Sequence, residues 1–507
     1  MAELAVGFLG FLHRLRRNEL TEQDAIRVLL VAFLVFLTLY LPAFRAGYYG
    51  EDFAWLAWSR DHSLLDALLP PGGTYYRVLS VRLPYWLFPR LPFGLFLWKT
   101  LAFSLAGGSA YFLWRWLELL CGNRGLSVFL AVLYLHSPFQ CYPLYYVNAF
   151  DYALLPFTLL GFLLAVERGH WRAVFLWLWA GLLAKEWAMA FPVLTFLLRR
   201  VPGKVVAAMV LSLPVFAWFS GLITAGAGGE SGPALAGFSP SFSGKTAADG
   251  LSFFFSRTFL PGFVIAPFFA WGWFAAASLT VLTGWAGLAF SYRRLQALRL
   301  LAAALVLFGP LFFLSNLKSE FLGGNLWIFL FAIASLGLAA LAVKASPVAK
   351  GVFLLAVVGG QLFFLPAERV ELVKKFASHA HVYDFALDRA QLFTANCEPG
   401  TKVAWAGLER LVLDQESAEH VLWGLRWKMP GREFFLIAFP GFDEKRVIPA
   451  HRSFWIGRAD ADKANDMLVL ETIKTPSGAA QVFSSTGGSP GCGMPGGKNT
   501  LGPVFRN

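Results

Sequence analysis

An all-α protein that crosses a membrane many times and ends in a small extracytoplasmic α/β domain is the fold class predicted by three features of the sequence. Of its 507 residues, 57% are hydrophobic, 17% aromatic and only 15% charged. The apolar residues recur in blocks long enough to span a bilayer, for which roughly twenty residues suffice. Beyond residue 366 the apolar density falls, and alternating, β-rich runs take its place. A membrane domain over residues 1–366 and a soluble domain over 367–507 follow.

Apolar segments lie near residues 26–44, 93–114, 125–139, 143–166, 172–184, 186–198, 204–224, 260–291, 299–315, 321–343 and 350–366, which predicts about eleven transmembrane helices. His13, Arg14, Arg16 and Arg17 precede the first, and no small-residue cleavage site follows it. That pattern predicts a retained anchor with a cytoplasmic amino terminus. Alternate loops then fall on the same side, and they carry Arg115 with Arg124, Arg168 with Arg172, Arg199-Arg200 with Lys204, Arg293-Arg294 with Arg299, and Lys344 with Lys350. This is the excess of basic residues expected of cytoplasmic loops. The formal charge of +12 therefore reports topology and contact with membrane lipid, and nucleic acid is excluded as a partner.

One external loop departs from the pattern. Residues 45–92 hold Arg45, Arg60, Arg77, Arg82 and Arg90 beside the acidic pair Glu51-Asp52. The fifth and sixth segments are short and meet at Ala184-Lys185-Glu186-Trp187, which puts a cation and an anion at membrane depth. Short helices with ionisable tips line cavities. The plainer reading is that Lys185 and Glu186 pair with each other or reach for the interface. Residues 225–258 form a long external loop rich in Gly, Ser and Pro, with Arg257 near its end; loops of that length are either lids or disordered.

In the carboxy-terminal part, Lys402–Ala406, Glu433–Phe439 and Met467–Leu470 read as strands and residues near 370–394 as a helix, ahead of an irregular Gly- and Pro-rich tail, Gly487–Asn507. Cys397 and Cys492 both fall there, where an oxidising compartment would permit a bridge. Cys121 and Cys141 fall on opposite membrane sides, and no Cys or His spacing suggests zinc.

Five short motifs follow one another along the chain: Tyr48-Tyr49-Gly50-Glu51-Asp52-Phe53, Tyr75-Tyr76-Arg77-Val78-Leu79-Ser80, His136-Ser137-Pro138, Val147-Asn148-Ala149-Phe150-Asp151 and Ala184-Lys185-Glu186. In this order and on one membrane side they resemble the GT-C superfamily of integral-membrane glycosyltransferases. The nearest likeness is to the branch holding the protein O-mannosyltransferases and the aminoarabinose transferases that modify lipid A. The motifs extend to about residue 200, and beyond them the likeness is one of topology alone. Glu51 stands where the family often has Asp, Val78 and Ala184 replace a Pro and a Ser, and Ser137 separates His136 from Pro138.

The resemblance implies an inverting glycosyltransferase that moves a sugar from a polyprenyl-phosphate donor to a hydroxyl of a protein, lipid or glycan. The reaction would take place on the extracytoplasmic face, with the bacterial inner membrane as the expected location and the carboxy-terminal domain in the periplasm. An alcohol is a poor nucleophile and needs a base, and the departing phosphate needs cations. The resemblance assigns the base to Glu51 or Asp52, with the choice open. Arg77, Lys185, Lys318 and Arg257 become candidates for the donor phosphate. Tyr76, His136, Asn148, Asp151 and Glu186 become candidates to line the cavity, Asn148 and Asp151 standing about one helical turn apart. A solvated turn is the plainer reading of Glu51-Asp52, and an interfacial residue that of His136. Adjacent carboxylates can hold a divalent cation, but the branch resembled works without one, so no metal or other cofactor is expected. The alternative is a flippase or transporter of lipid-linked sugars; transporters bind near the midplane and often show internal repeats, whereas here the charges collect at one face and no repeat is visible.

Overall fold

The computed structural model describes residues 20–48, 50, 52–69, 77–199, 201–219, 243–246, 248–249, 252, 271–312, 323–395, 397, 400–406, 408, 415–437, 455–456, 468–474 and 480–486. Glu51, Tyr76, Arg257, Lys318 and Cys492 lie outside the described residues, as does most of the 225–258 loop.

The longer helices, in chain order, are α1 (Glu22–Tyr40), α2 (Asp52–Asp61), α3 (Gly94–Cys121), α4 (Arg124–Leu135), α5 (Pro138–Tyr145), α6 (Asp151–Arg168), α7 (Trp171–Ala184), α8 (Phe191–Leu198), α9 (Gly203–Phe219), α10 (Trp271–Gly287), α11 (Arg294–Phe312), α12 (Gly323–Lys344), α13 (Pro347–Thr394) and α14 (Gln415–Lys428). Each of the apolar segments read from the sequence contains helix. Four stretches are long and apolar enough to cross a membrane: Glu22–Arg45, Val147–Arg168, Trp273–Phe290 and Gly324–Lys344. Trp171–Ala184, Glu186–Leu198, Gly203–Ala217 and Val348–Val357 are shorter apolar helices. The chain is mostly helical and reads as a membrane protein.

Two compact units divide it. Among the described residues, the first holds the chain up to Arg45 together with Leu68 to Lys374, and the second holds Ala46–Ala67 with the chain from Lys375 onward.

In the first unit, local chemistry sets the helix ends. Thr21 caps α1 in a reciprocal box: the Asp24 N–H donates to Thr21 Oγ1 at 3.1 Å, and the Thr21 N–H donates to Asp24 Oδ2 at 3.3 Å. Asn123 caps α4 by accepting from the Leu126 N–H at 3.0 Å. Arginines satisfy the carbonyls and charges at the same end of the helices. Arg115 reaches Glu22 at 3.0 Å, Arg124 donates to Glu118 at 2.6 Å and to the Leu20 carbonyl at 2.8 Å, and Arg293 donates to the Leu120 carbonyl. Arg199 donates to the carbonyls of Val166 and Glu167 at the carboxy end of α6. Cations at helix carboxy termini also meet the negative end of the helix dipole. The loops that the charge pattern assigned to one side thus share one end of this unit.

The core of the unit is aromatic. Trp98, Trp114, Trp116, Trp273 and Trp327 are fully buried. Trp273 on α10 and Trp327 on α12 meet edge to face at 4.9 Å, and Trp273 Nε1 donates to the Leu133 carbonyl of α4 at 2.7 Å. Below that contact α10 and α12 cross backbone to backbone at Gly284 and Gly337.

The second unit is built on a five-stranded sheet, β1 (Lys402–Ala406), β2 (Glu433–Ile437), β3 (Trp455–Ile456), β4 (Leu468–Lys474) and β5 (Ala480–Thr486), in the order β3-β2-β1-β4-β5. β1 pairs in parallel with both β2 and β4, β2 with β3 in parallel, and β4 with β5 antiparallel. Parallel neighbours need a crossover, and α14 supplies it between β1 and β2. Val403, Ala404 and Trp405 of β1 are all buried, as a strand covered on both faces requires. Phe53 of α2 lies 6.1 Å from the Trp427 ring and 5.9 Å from that of Tyr383.

Two boundaries differ from the expected ones. Residues 46–67, expected within the loop of the membrane domain, belong to the second unit, because Phe53, Leu56 and Ala57 of α2 need an apolar partner and find it there. The second unit begins at Lys375 rather than 367, inside α13, which continues unbroken to Thr394. Cys397 is disulfide-bonded, and Cys121 and Cys141 are buried.

Candidate functional site

Three backbone irregularities in the first unit bring four charged side chains together. Arg77 precedes a turn of π-helix, Val78–Arg82, in which the Arg82 N–H donates to the Arg77 carbonyl at 3.0 Å. Such turns recur at functional sites. Lys185 is a single extended residue, φ −161° and ψ 138°, between α7 and the 3₁₀ turn Glu186–Ala190. The chain can fold back there because residue 181 is glycine: a Cβ at Gly181 would stand 2.8 Å from both Ala188 Cβ and Phe191 Cε2. Asp151 opens α6, directly after the 3₁₀ turn Val147–Phe150. Ser80 Oγ donates to the Ala184 carbonyl at 2.5 Å and pins the π turn to the break.

The four charges pair crosswise. Arg77 forks onto Glu186, Nη2 to Oε1 at 2.6 Å and Nε to Oε2 at 3.0 Å, and its Nη1 reaches Asp151 Oδ2 at 3.3 Å. Lys185 Nζ donates to the same Asp151 Oδ2 at 2.5 Å and sits 4.0 Å from the centre of the Tyr152 ring. Lys185 and Asp151 are each 2% exposed, whereas Glu186 is half-buried. Burial opposes the Arg77 charge, but the Glu186 and Asp151 carboxylates outweigh it and hold the guanidinium charged. Asp151 Oδ1 is buried and has no hydrogen-bond partner among the described residues. A buried carboxylate oxygen left in that state is costly unless a bound group or water meets it.

The cluster occupies the amino end of α6 and the carboxy end of α7, opposite the end of α6 where Arg199 caps Val166 and Glu167. The structure thus brings together Arg77, Asp151, Lys185 and Glu186. Lys185 pairs with Asp151 rather than with the adjacent Glu186. Asn148 is half-buried in the 3₁₀ turn ahead of Asp151. His136, 8% exposed at the end of α4, stands apart from the ion pairs; its ring meets Phe36 edge-on at 5.7 Å.

Asp52 belongs to the second unit. It is fully buried in the first turn of α2, where a negative charge suits the helix dipole. Partial burial, and then the Asp52 carboxylate, push the Tyr48 phenol well above its ordinary value, so Tyr48 stays neutral beside it.

Several buried polar residues carry no motif. Lys99 of α3 is 2% exposed and donates to the Ala43 carbonyl at 2.5 Å. Gln140 and Asn325 are buried, and Gln140 Nε2 and Oε1 and Asn325 Oδ1 lack hydrogen-bond partners among the described residues. Their segments adjoin, since a Cβ at Gly324 would lie 2.8 Å from Phe139 Cβ. The signal available for Asn325 was a carboxamide opening an otherwise apolar helix. Among the described residues no three His, Cys, Asp or Glu side chains gather as a metal site would require. No protein-family model matches the chain, and no characterised protein sequence matches it.

Proposed function

We propose that the chain is an inverting GT-C-type glycosyltransferase of about eleven transmembrane helices, taking a sugar from a polyprenyl-phosphate donor to a hydroxyl acceptor. The observation that carries the reading is the buried Lys185–Asp151–Arg77–Glu186 network at a helix break, since cations at membrane depth are expensive and mark functional sites. Arg77 and Lys185 would hold the donor phosphate, with Asp151 and Glu186 keeping both cations in position when the site is empty. The acid of the Glu51-Asp52 pair would take the proton from the acceptor hydroxyl. The freed oxygen attacks the anomeric carbon from the face opposite the phosphate, and the carbon–oxygen bond to phosphate breaks with its electron pair passing to the phosphate. Arg77 and Lys185 then meet the charge that develops there.

The one-sided distribution of the capping arginines supports a cytoplasmic amino terminus, which would put the Lys185 end on the extracytoplasmic side of a bacterial inner membrane. The Cys397 disulfide supports an oxidising compartment for the second unit.

The test is a transfer assay with the full chain in detergent, a radiolabelled polyprenyl-phosphate sugar and a mixed pool of protein, lipid and glycan acceptors. Loss of a general base costs typically about 10²–10⁴ in rate, so Asp52→Asn or Glu51→Gln should lose at least a hundredfold. Full transfer by both variants would remove the acidic pair from the mechanism. Absence of transfer with every acceptor, together with sugar uptake into proteoliposomes, would make the chain a transporter instead.

A further inference from the structure

The second unit contains a cavity of about 410 Å³, within the range of small-molecule sites, at the end of α2 against α14 and the turn that enters β2. Trp58 and Trp423 contribute partly exposed indoles, and Arg60, Arg426 and Arg432 bring three guanidiniums against only two carboxylates, Asp61 and Glu433. We infer that this cavity binds a saccharide bearing an oxyanion, either a carboxylate or a phosphate, with a sugar face on the indoles and the charge on the arginines.

The arrangement is held before any ligand arrives. Arg60 forks onto Asp61, Nε to Oδ1 at 2.8 Å and Nη2 to Oδ2 at 3.1 Å, and its Nη1 donates to the Arg426 carbonyl at 2.8 Å, tying α2 to α14. His62 stacks on Trp58 at 4.6 Å with 22° between the rings, and the Trp58 carbonyl lies 2.8 Å from His62 Nδ1. Arg426 stands 5.7 Å over the Trp423 ring. Arg432 reaches the carbonyls of Thr394 and Cys397, yet its Nε is buried with no hydrogen-bond partner among the described residues. Burial, and the nearby Arg60 charge against the opposing Glu433, weaken the hold of Arg426 on its proton. Like charges crowded beside a cavity with an unsatisfied donor are relieved by an anion.

The ligand class follows from the mixture. The apolar C–H face of a pyranose suits the electron-rich face of an indole. A planar guanidinium matches a carboxylate or phosphate in two hydrogen bonds. Asp61 and Glu433 supply acceptors for hydroxyls, which a site for a bare anion would avoid. In the transferase reading this cavity would hold part of the acceptor; that role depends on the reading, while the binding does not.

Isothermal titration of the full chain in detergent with glucuronic acid, glucose 6-phosphate, glucose and inorganic phosphate tests it. At least one charged sugar should bind at least tenfold more tightly than glucose or inorganic phosphate, and the stronger of the two identifies the oxyanion. Trp423→Ala and Arg426→Gln should each weaken that binding at least tenfold, while Trp423→Phe retains most of it. Unchanged elution on size exclusion shows that the variants fold. Phosphate binding as well as glucose 6-phosphate, glucose binding as well as either charged sugar, or no binding of either charged sugar would each overturn the inference. Donor turnover in the transfer assay, read separately, shows whether the transferase reading fails with it or independently.

Discussion

Lys185→Ala is expected to destabilise the first unit by about 3–5 kcal/mol and to slow transfer by about 10²–10³, while the paired replacement Lys185→Met with Asp151→Leu is expected to restore most of the stability and none of the lost transfer. The first half follows from geometry: Lys185 and Asp151 are each 2% exposed, and deleting Lys185 leaves the network one positive charge short, with the buried Asp151 carboxylate held, among the described residues, only by the 3.3 Å contact to Arg77. The second half follows because a buried ion pair replaced by apolar residues of similar volume is often neutral or stabilising. Arg77 keeps its fork on Glu186 in the paired variant, so the rest of the network survives. Thermal unfolding in detergent reads the stability, and the transfer assay reads the chemistry. Removing one preorganised cation or donor from a developing charge costs about 10²–10³ in rate. A paired variant that is stable and transfers at the rate of the natural chain would reduce the network to a structural brace.

Why Lys185 chose Asp151 explains what the sequence could and could not convey. The short segments on either side of Lys185-Glu186 announced a broken helix with ionisable tips, and that break is present. The adjacent Glu186 looked like the natural counter-ion. Successive side chains on extended backbone diverge, however, and Lys185 is extended, so the two neighbours reach different partners on different elements. Arg77 and Asp151 are 74 residues apart, and only the fold brings them together. β1, β2 and β4 of the second unit were legible from their apolar runs, whereas β3, β5 and the membership of residues 46–67 were not. Arg60 donates to Arg426 across 366 residues of chain, and no local pattern encodes a pairing of that range. The buried carboxamides of Gln140 and Asn325 were missed for a related reason: a single polar residue in an apolar helix does not say whether it faces lipid, protein or water.

Gly337→Ala is the other substitution with a large expected effect, because it adds a methyl group where two helices share backbone contact. A Cβ on Gly337 would lie 1.8 Å from the Gly284 carbonyl oxygen, and one on Gly284 would lie 2.6 Å from Ala334 Cα. Neither obstacle is a flexible side-chain tip, so α10 and α12 must separate along their length. Small residues that let backbones approach are the usual means of association where lipid removes the hydrophobic drive. Overpacking costs about 1–3 kcal/mol in ordinary cores, and this contact should reach or pass the upper end. The separation would also pull Trp273 from Trp327 and loosen its hydrogen bond to the Leu133 carbonyl. Gly351→Ala is the control: nothing lies within 4 Å of its missing Cβ, and in the interior of α13 alanine should stabilise by about 0.5–1 kcal/mol. The expected order of thermal midpoints in detergent is Gly351→Ala at or above the natural chain, with Gly337→Ala well below. A Gly337→Ala protein as stable as the natural chain would mean that α10 and α12 do not cross at these glycines.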